Sequence, residues 1–349
     1  MINNMNTYLI GEIGQNHNGS VALAKLLCDA AARPVIDKLF GEELSSMDAV
    51  KLTKRDLNEE LSQSQMNRPY NSVHSFGRTY GEHRAFLELS NEEHFEVYKH
   101  AKSLGLDFVE TLCTPSTLSI LKYFEPDYLK VASRDLTHLP LIEALAETKL
   151  PIILSTGMGG KEELDDALNI ITKYHNSISI LHCVSEYPTQ YKNVNLLTIK
   201  YLQKHYGEYV IGYSDHTIGI STPVAAVALG AKIIEKHITL DRQMKGTDQA
   251  GSLAIDGIYR MVRDIRNLEL SMGEEKIVIE DAVVKAKEKL ERSVATLIDM
   301  QEGHLIREED LHLLSPGDGV KWKNRNVLIG KRVKKNIGKN EIIYPEDVE

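Results

Sequence analysis

The sequence predicts a (β/α)8 barrel, the TIM-barrel fold of the α/β class, over residues 1–280, with a linker at 281–290 and a small second domain at 291–349. Three observations predict this organisation: eight short apolar or β-branched runs, helical spacing of apolar residues between them, and a change in charge balance near residue 280. A chain of 349 residues is long enough for two domains, or for one large barrel with a small addition.

The eight runs have the length and composition of buried strands. They occupy residues 8–13, 49–52, 108–112, 128–132, 151–154, 178–183, 209–213 and 232–238. Between them, apolar residues recur at i, i+3, i+4 and i+7, as in Leu164, Ala167, Leu168 and Ile171. The sequence 90–93 (SNEE) predicts a capping box at the start of the second helix. A doubly wound open sheet would show the same alternation, but no GxGxxG follows the first run, which favours the barrel.

Composition excludes several classes of protein. The chain is 42% hydrophobic and 26% charged, which is typical of a globular protein and excludes disorder. No apolar stretch approaches the ~18 residues of a membrane span, and residues 1–12 lack a signal-peptide pattern. Cys28, Cys113 and Cys183 form no CxxC motif, which indicates a reducing compartment. We therefore expect a cytoplasmic enzyme with no membrane partner and, given its acidic balance, no nucleic-acid partner.

The net charge of −9 is unevenly distributed. Residues 281–349 hold 13 acidic and 13 basic residues, so the whole excess of negative charge lies in residues 1–280. From Lys321 to Lys339 the chain carries eight lysines and arginines and no acidic residue. This basic run predicts either a solvated basic face or a surface that concentrates anions near a binding site.

Polar residues at the predicted strand ends indicate an active site, because barrel enzymes place their functional residues at the carboxyl ends of the strands. These residues are Glu12, Lys51, Thr114, Lys130, Ser133, Ser155, Ser214, His216 and His237. A charged residue inside an apolar strand is costly unless it is paired, and one such residue more often forms a structural salt bridge. Several at the same end favour an active site, and the two lysines suit a phosphate and a carboxylate.

Two of the thirteen histidines lie at the ends of consecutive strands. His216 and His237 are 21 residues apart, one strand–helix repeat, so their imidazoles should face each other across adjacent strand ends. Two imidazoles with carboxylates nearby suit a divalent transition metal and leave positions open for water and substrate.

Several motifs resemble those of the sialic acid synthase family. They are the segments 11–19 (GEIGQNHNG), 154–158 (LSTGM), 212–217 (GYSDHT), 235–240 (EKHITL) and 245–248 (KGTD). The segment 68–83 (RPYNSVHSFGRTYGEH) resembles a substrate loop of the branch that includes animal-type synthases acting on 6-phosphorylated N-acetylmannosamine. The resemblance covers nearly the whole chain.

The resemblance implies a synthase that condenses phosphoenolpyruvate with an N-acetylmannosamine-like aldose to give a nine-carbon α-keto acid and phosphate. It implies Mn²⁺ or Mg²⁺ held by His216 and His237, and sugar contacts from Asp135 and Tyr187. Its implied catalytic residues are Glu12, Lys51, Lys130 and Asp248. Its implied phosphoenolpyruvate ligands are Lys51, Thr114, Lys130, Ser133, Ser155 and Ser214.

Other functions stay open at this point. Within the family they are a 9-phosphate-forming synthase with a 6-phosphorylated acceptor and a legionaminic- or pseudaminic-type synthase. Outside it they are another metal-dependent barrel aldolase or hydrolase, and a non-catalytic sugar-binding protein.

Residues 291–349 resemble the antifreeze-like (SAF) domain that ends these synthases. Residues 300–311 are echoed 37 residues later in 337–348, which predicts a small duplicated β unit. In the family this domain caps the barrel of a second subunit, so the resemblance implies a domain-swapped homodimer.

The chain departs from the family pattern at positions that concern the acceptor. Arg134 and Asp135 follow a serine where many bacterial members have Gly-Glu, and Thr53 stands where a glutamine is frequent. Ser315 replaces an arginine that often reaches the N-acetyl group bound to the neighbouring subunit, which weakens the expectation of N-acetylmannosamine itself.

Three arginines are candidates to bind a phosphate on the acceptor, because a guanidinium binds phosphate through two parallel hydrogen bonds. They are Arg78, Arg84 and Arg134. The segment 33–48 is longer than a tight helix-to-strand turn requires, and the sequence assigns it no role.

Overall fold

Eight parallel strands close into a barrel, which confirms the predicted fold class. The structure, a computed structural model, describes residues 6–36, 41 and 43–349. The barrel strands are β1 (Tyr8–Gly14), β2 (Ala49–Lys54), β3 (Asp107–Leu112), β4 (Tyr128–Val131), β5 (Ile152–Ser155), β6 (Ile178–Cys183), β7 (Val210–Asp215) and β8 (Ile233–His237). Each strand pairs with its sequence neighbour, and β8 closes the barrel on β1, where His237 lies opposite Glu12.

Helices surround the barrel. They are α1 (Val21–Ala32), α2 (Leu57–Glu60), α3 (Gln63–Met66), α4 (Tyr80–Leu87), α5 (Asn91–Ser103), α6 (Leu139–Glu147), α7 (Lys161–Ile171), α8 (Thr198–His205), α9 (Ser221–Ala228) and α10 (Ile255–Ser271). The capping box at Ser90 and Glu93 is present, with Ser90 N donating to Glu93 Oε2 at 2.7 Å. After β3 the chain forms a 3₁₀ helix, Pro115–Lys122, where the repeat predicts an α-helix.

The apolar pattern sorts strand residues into two layers. Ile10, Val109 and Ile153 point into the barrel, while the alternate residues, such as Leu9 and Phe108, pack against the helices. The predicted apolar positions of α7, including Leu164 and Leu168, are buried as expected. Leu26 of α1 fits the same spacing of apolar residues but is half exposed. The apolar face of α1 is therefore wider than the part of the helix that packs against the barrel.

The segment 33–48 contains two short antiparallel strands, Val35–Ile36 and Glu43–Leu44. Residues 37–40 and 42 of this segment lie outside the described residues, as do residues 1–5, part of the segment 1–12 in which the sequence shows no signal-peptide pattern. The three cysteines are buried, and none forms a disulfide within the described structure. Across residues 6–36, 41 and 43–349, we find no helix with both the length and the hydrophobicity to cross a bilayer.

A second unit begins at Glu274. It holds α11 (Val284–Leu290) and an antiparallel pair, β9 (Ser293–Thr296) and β10 (Leu311–Leu314), around its own apolar core. The sequence echo corresponds to equivalent backbone turns. Arg307 N donates to Asp310 Oδ2 and, 37 positions on, Tyr344 N donates to Asp347 Oδ2, both at 3.0 Å. The two copies meet where Met300 and Ile337 exchange backbone hydrogen bonds of 2.8 and 2.9 Å.

Acidic residues of the same unit pair with part of the basic run. Lys321 lies 2.8 Å from Glu291 and Lys335 lies 2.7 Å from Asp347. Arg325 lies 2.8 Å from Glu308. These pairs reduce the positive charge of the run, which favours the interpretation as a solvated face over a strongly cationic surface.

Candidate active site

A cavity of about 230 Å³ lies at the carboxyl ends of the barrel strands. Ten of the twelve predicted site residues line it. They are Glu12, Lys51, Lys130, Ser133, Ser155, Tyr187, Ser214, His216, His237 and Asp248. Residues that are far apart in sequence therefore meet in one cavity, as the barrel prediction requires.

Thr114 and Asp135 lie outside this cavity. Thr114 begins the 3₁₀ helix after β3, and its hydroxyl lies 3.2 Å from Ser116 Oγ. Asp135 sits in the 3₁₀ turn Ser133–Asp135, where its carboxylate accepts a hydrogen bond of 3.3 Å from Arg134 Nε. In both places the chain enters a 3₁₀ turn just after the strand, and the roles of these two residues in ligand binding stay predictions.

Four buried charges form the floor of the cavity, and we call Glu12, Lys51, Lys130 and Glu235 the inner cluster. Lys51 Nζ lies 2.5 Å from Glu12 Oε2 and 3.4 Å from Glu235 Oε1. Lys130 Nζ lies 3.6 Å from Glu235 Oε2, and Ser214 Oγ donates to Glu235 Oε1 at 3.0 Å. Charges this deeply buried in a barrel require either mutual pairing or ligands.

The two carboxylates of the inner cluster differ in electrostatics. Burial raises the pKa of Glu12 to about 7 against the attraction of Lys51. Burial also opposes ionisation of Glu235, yet Lys130 and Lys51 lower the pKa of Glu235 to about 2. Glu235 is thus a fixed negative charge, whereas Glu12 has the pKa of an acid or base near neutral pH.

The two lysines differ in the same way. Glu12 and Glu235 overcome burial and raise the pKa of Lys51. Burial lowers the pKa of Lys130, whose single carboxylate contact is long. Lys130 is therefore the cation that gains most from an incoming anion.

Glu235 is a site residue that the sequence analysis missed. It precedes His237 by two residues on β8, and alternate residues of a strand share a face. Since His237 lines the cavity, this alternation predicts that Glu235 lies inside the barrel and Lys236 outside it. Arg55, which also lines the cavity, was missed because it lies beyond the predicted strand.

His216 and His237 face each other across the cavity with ring centroids 5.7 Å apart. His216 Nδ1 lies 2.8 Å from the Val184 carbonyl oxygen and donates to it, which leaves the Nε2 lone pair free. Burial, together with the neighbouring His216, lowers the pKa of His237 and keeps its imidazole neutral. Tyr187 packs on both rings, at 4.1 Å from His216 and 5.0 Å from His237.

This donor set fits a metal held by two imidazoles with its other positions open. His237 Nδ1 is buried and has no hydrogen-bond partner among the described residues, as expected of a nitrogen available to a ligand. In the described part of the chain we find no group of three or more His, Cys, Asp or Glu side chains that could hold a metal ion. Remaining positions would fall to substrate and water.

Two glycines keep the cavity walls clear. A Cβ on Gly157 would lie 2.4 Å from Ser185 Oγ and 2.8 Å from Ser133 Oγ, and Gly157 N donates to Ser133 Oγ at 3.0 Å. Gly14 has a φ of +51°, and a Cβ there would lie 2.7 Å from Glu12 Oε1. These two close approaches explain the glycines of the segments 154–158 and 11–19.

The segment 68–83 contacts the loop that carries Asp248 rather than the cavity itself. Lys245 Nζ lies 4.7 Å from the centroid of the Phe76 ring, and Gly246 N donates to His74 Nδ1 at 3.4 Å. Of the candidate arginines, Arg134 lines the cavity, whereas Arg84 is buried with its Nη1 bonded to Gln15 Oε1 at 2.9 Å. Arg78 lies in the segment 68–83, outside the cavity.

Comparison with known proteins identifies the family. The chain matches the NeuB family over residues 43–277 and the SAF domain over residues 291–349. The chain belongs to the NeuB family. N-acetylneuraminate-9-phosphate synthase from Homo sapiens is 31% identical to it over 98% of this chain and 92% of that protein.

Two further proteins are similar to most of this chain. N,N'-diacetyllegionaminic acid synthase from Legionella pneumophila is 32% identical over 99% of this chain and 95% of that protein. The crystal structure of N-acetylneuraminic acid synthetase from Leptospira borgpetersenii, in complex with citrate, covers 80% of this chain and 90% of that chain, with a TM-score of 0.67 and 29% identity. Because these similar proteins are synthases matched over most of their length, this chain is an enzyme.

Proposed function

We propose that this enzyme is a sialic acid (nonulosonate) synthase, a transferase that condenses phosphoenolpyruvate with an N-acetylmannosamine-like aldose to form a nine-carbon α-keto acid and phosphate. The observation that carries the proposal is that the two buried lysines of the inner cluster line the same cavity as two imidazoles. The names of the relatives, synthases of N-acetylneuraminate 9-phosphate and of diacetyllegionaminic acid, support this class of product.

Lys130 and Lys51 bind phosphoenolpyruvate in this proposal, with hydroxyls from the cavity wall. Lys130 has the long carboxylate contact of 3.6 Å, so a phosphate or carboxylate oxygen can approach it without displacing a short ion pair. Ser155 Oγ is buried and has no hydrogen-bond partner within the described structure, so it can donate to the same anion. Ser133 and Ser214 line the same wall. Together these donors neutralise and orient the substrate.

His216 and His237 would hold the divalent cation, Mn²⁺ or Mg²⁺. When bound there, the cation would act as a Lewis acid on the carbonyl of the open-chain sugar. Tyr187, which contacts the His216 ring in a tilted arrangement and the His237 ring edge-on, positions the sugar chain. Holding the two substrates face to face supplies much of the rate enhancement, because it replaces a bimolecular encounter.

Glu12 and Asp248 act as general acid and base in the proposed reaction. C3 of phosphoenolpyruvate forms a bond to the aldehyde carbon, whose oxygen takes up a proton and becomes a hydroxyl. Water adds at C2 and loses one proton to a carboxylate. The resulting C2 hydroxyl loses its second proton and becomes the keto group as the bond between C2 and the bridging oxygen breaks and phosphate leaves. Glu12, with a pKa of about 7, suits that proton transfer, and a well-placed acid or base contributes about 10²–10⁴-fold.

Phosphate release with defined substrates tests the proposal. The purified chain is incubated with phosphoenolpyruvate, MnCl₂ and a panel of aldoses with and without a 6-phosphate, and phosphate and α-keto acid are measured. We expect turnover that a chelator and His216→Ala both abolish. His205→Ala, which removes an exposed imidazole on α8, serves as the matched control and should keep wild-type rates. Absence of product with every acceptor would contradict the proposal.

A homodimer is part of the proposal. Ile277, Ile279 and Leu290 are large apolar residues with exposed side chains, and a second copy of the chain would cover such residues. The resemblance of residues 291–349 to a capping domain supports an exchange of this domain between subunits. Sedimentation of the full chain should show a dimer, and a fully active monomer would contradict this arrangement.

A further inference from the structure

The cavity contains a second pair of cations beyond those that phosphoenolpyruvate needs. Arg55 and Arg134 follow Lys51 and Lys130 by four residues each, at the ends of the same two strands, β2 and β4. The lysines belong to the buried inner cluster, and the two arginines line the same cavity. Four cationic side chains from the ends of these two strands therefore line one cavity.

The two guanidiniums converge on one carboxylate oxygen. Arg55 Nη1 and Arg134 Nη1 each lie 3.0 Å from Glu60 Oε1. Glu60 Oε2 is buried without a hydrogen-bond partner in the described residues. Two flanking carboxylates complete the surroundings, with Glu88 Oε1 at 3.5 Å from Arg55 Nε and Asp135 Oδ2 at 3.3 Å from Arg134 Nε.

Each guanidinium has an N–H group without a good hydrogen-bond acceptor in the protein. Arg134 Nη2 has the Cys113 sulfur as its acceptor at 2.8 Å, and a neutral thiol is a weak acceptor. Arg55 Nε is buried and finds no partner with hydrogen-bond geometry in the part of the chain that the structure describes. Burial raises the pKa of Glu88 and of Asp135, so both compete less well for the arginines than an exposed carboxylate would.

An acceptor with an anionic group would provide the missing oxygen acceptors. In the proposed reaction, the inner cluster serves phosphoenolpyruvate, and His216 and His237 serve the aldehyde end of the sugar. A neutral sugar would leave the arginine pair without a ligand. Two guanidinium forks side by side match the geometry of a phosphate group.

We propose that Arg55 and Arg134 bind a phosphate monoester at the end of the acceptor that is distal to its aldehyde. This inference rests on the proposed synthase activity and specifies its substrate class. It assigns the acceptor contact to Arg55 in addition to Arg134, and it excludes Arg78 and Arg84, which lie outside the cavity.

The ratio of kcat/KM for N-acetylmannosamine 6-phosphate to that for N-acetylmannosamine tests this assignment. We expect the wild type to prefer the phosphorylated acceptor, and Arg134→Gln and Arg55→Gln each to lower the ratio by about 10- to 100-fold, the value of a hydrogen bond to a charged group. A wild-type ratio near one, or a ratio that neither variant changes, would overturn the proposal.

Arg263→Gln is the matched control. Arg263 on α10 has an exposure similar to that of Arg134 and likewise donates through Nε to the aspartate that follows it, here Asp264 at 2.8 Å. This variant should keep the wild-type ratio, which separates a role in the cavity from a general effect of losing an arginine.

Direct binding separates this inference from the synthase proposal. Calorimetry with mannose and mannose 6-phosphate, in the presence of phosphoenolpyruvate, requires no turnover. Tighter binding of the phosphorylated sugar, weakened by Arg134→Gln, supports the arginine site even if no product forms with any acceptor. Equal affinity for the two sugars overturns it even if the enzyme is active.

Discussion

Strand β8 contributes a residue to each of two buried charge clusters, which lie on opposite sides of the barrel wall. Glu235 points inward to the inner cluster, whereas its neighbour Lys236 points outward and pairs with Asp215 at 2.5 Å. Asp215 also accepts hydrogen bonds from Tyr213 and Thr217, at 2.8 and 2.9 Å. We call Asp215, Lys236 and these partners the outer cluster.

The clusters differ in how completely their polar atoms are paired. In the outer cluster, both carboxylate oxygens of Asp215 have donors, and Lys236 also donates to the Thr217 carbonyl oxygen. In the inner cluster, Glu235 Oε2 has only the long contact of 3.6 Å to Lys130 Nζ, and the neighbouring Ser155 Oγ is buried without a hydrogen-bond partner among the described residues. The same depth of burial therefore serves two purposes: a fully paired cluster stabilises the fold, and an incompletely paired one is prepared for ligands.

The largest expected effect is the loss of activity in Lys130→Met. Methionine fills a similar volume without charge, and Glu235 keeps Lys51 and Ser214 as partners. We expect kcat/KM for phosphoenolpyruvate to fall by about 10²–10³-fold, while the free energy of unfolding stays within about 1 kcal/mol of wild type. Steady-state kinetics and urea denaturation measure the two quantities. A large loss of stability would show that the inner cluster is structural.

Lys236→Met in the outer cluster should lower stability rather than activity. The side chain lies outside the cavity, and its removal leaves the buried carboxylate of Asp215 without a counter-charge. We expect a loss of about 3–5 kcal/mol in the free energy of unfolding, the range for breaking a buried ion pair. Urea denaturation alongside Lys130→Met gives a direct comparison. Equal stability of the two variants would remove the distinction between the clusters.

The clusters should also differ in their response to pH. The pKa of Glu12 is about 7 in the folded protein against 4.5 for an ordinary glutamate, so between these values the unfolded chain releases a proton that the folded protein keeps. Stability from this group is therefore present below pH 4.5 and is lost as pH rises through 7.

Glu12→Gln removes this titration. With a chelator present, we expect the unfolding free energy of the wild type relative to Glu12→Gln to decrease from pH 4.5 to pH 8, by on the order of 1–3 kcal/mol. Denaturation curves at several pH values measure the difference. A difference that does not change with pH would contradict the assignment.

Much of the fold and most of the site could be predicted from local patterns. Eight apolar runs with helical spacing between them predict the barrel, and one repeat between His216 and His237 predicts that their rings meet. These predictions succeed because strand direction and the strand–helix repeat are the same all round a closed barrel. Lys51 and Lys130 follow from the same regularity, since each is a charged residue inside an apolar strand.

The remaining site residues depend on geometry beyond the strands. Thr114, predicted from its nearness to a strand end, and Asp135, implied by the family resemblance, lie at 3₁₀ turns and do not line the cavity, so their roles in binding stay predictions. Arg55 enters the cavity from the loop after β2, where it shares Glu60 with Arg134. Such contacts between loops have no sequence periodicity, so only the structure shows them.

The smallest effects are expected from removing two hydroxyl groups, that of Thr217 in the outer cluster and that of Ser155 beside the inner cluster. Thr217→Val removes a hydroxyl that lies 3.1 Å from Asp215 Oδ2 and 2.6 Å from Thr222 Oγ1, so it should cost about 1–2 kcal/mol of stability. Ser155→Ala removes a buried hydroxyl without a partner in the described structure, so stability should stay within about 0.5 kcal/mol while KM for phosphoenolpyruvate rises. Urea denaturation and kinetics on both variants measure these changes. A lower stability of Ser155→Ala than of Thr217→Val would contradict this comparison. It would mean that the buried Ser155 hydroxyl stabilises the fold although it has no hydrogen-bond partner, so incomplete pairing would not mark a group kept for ligands.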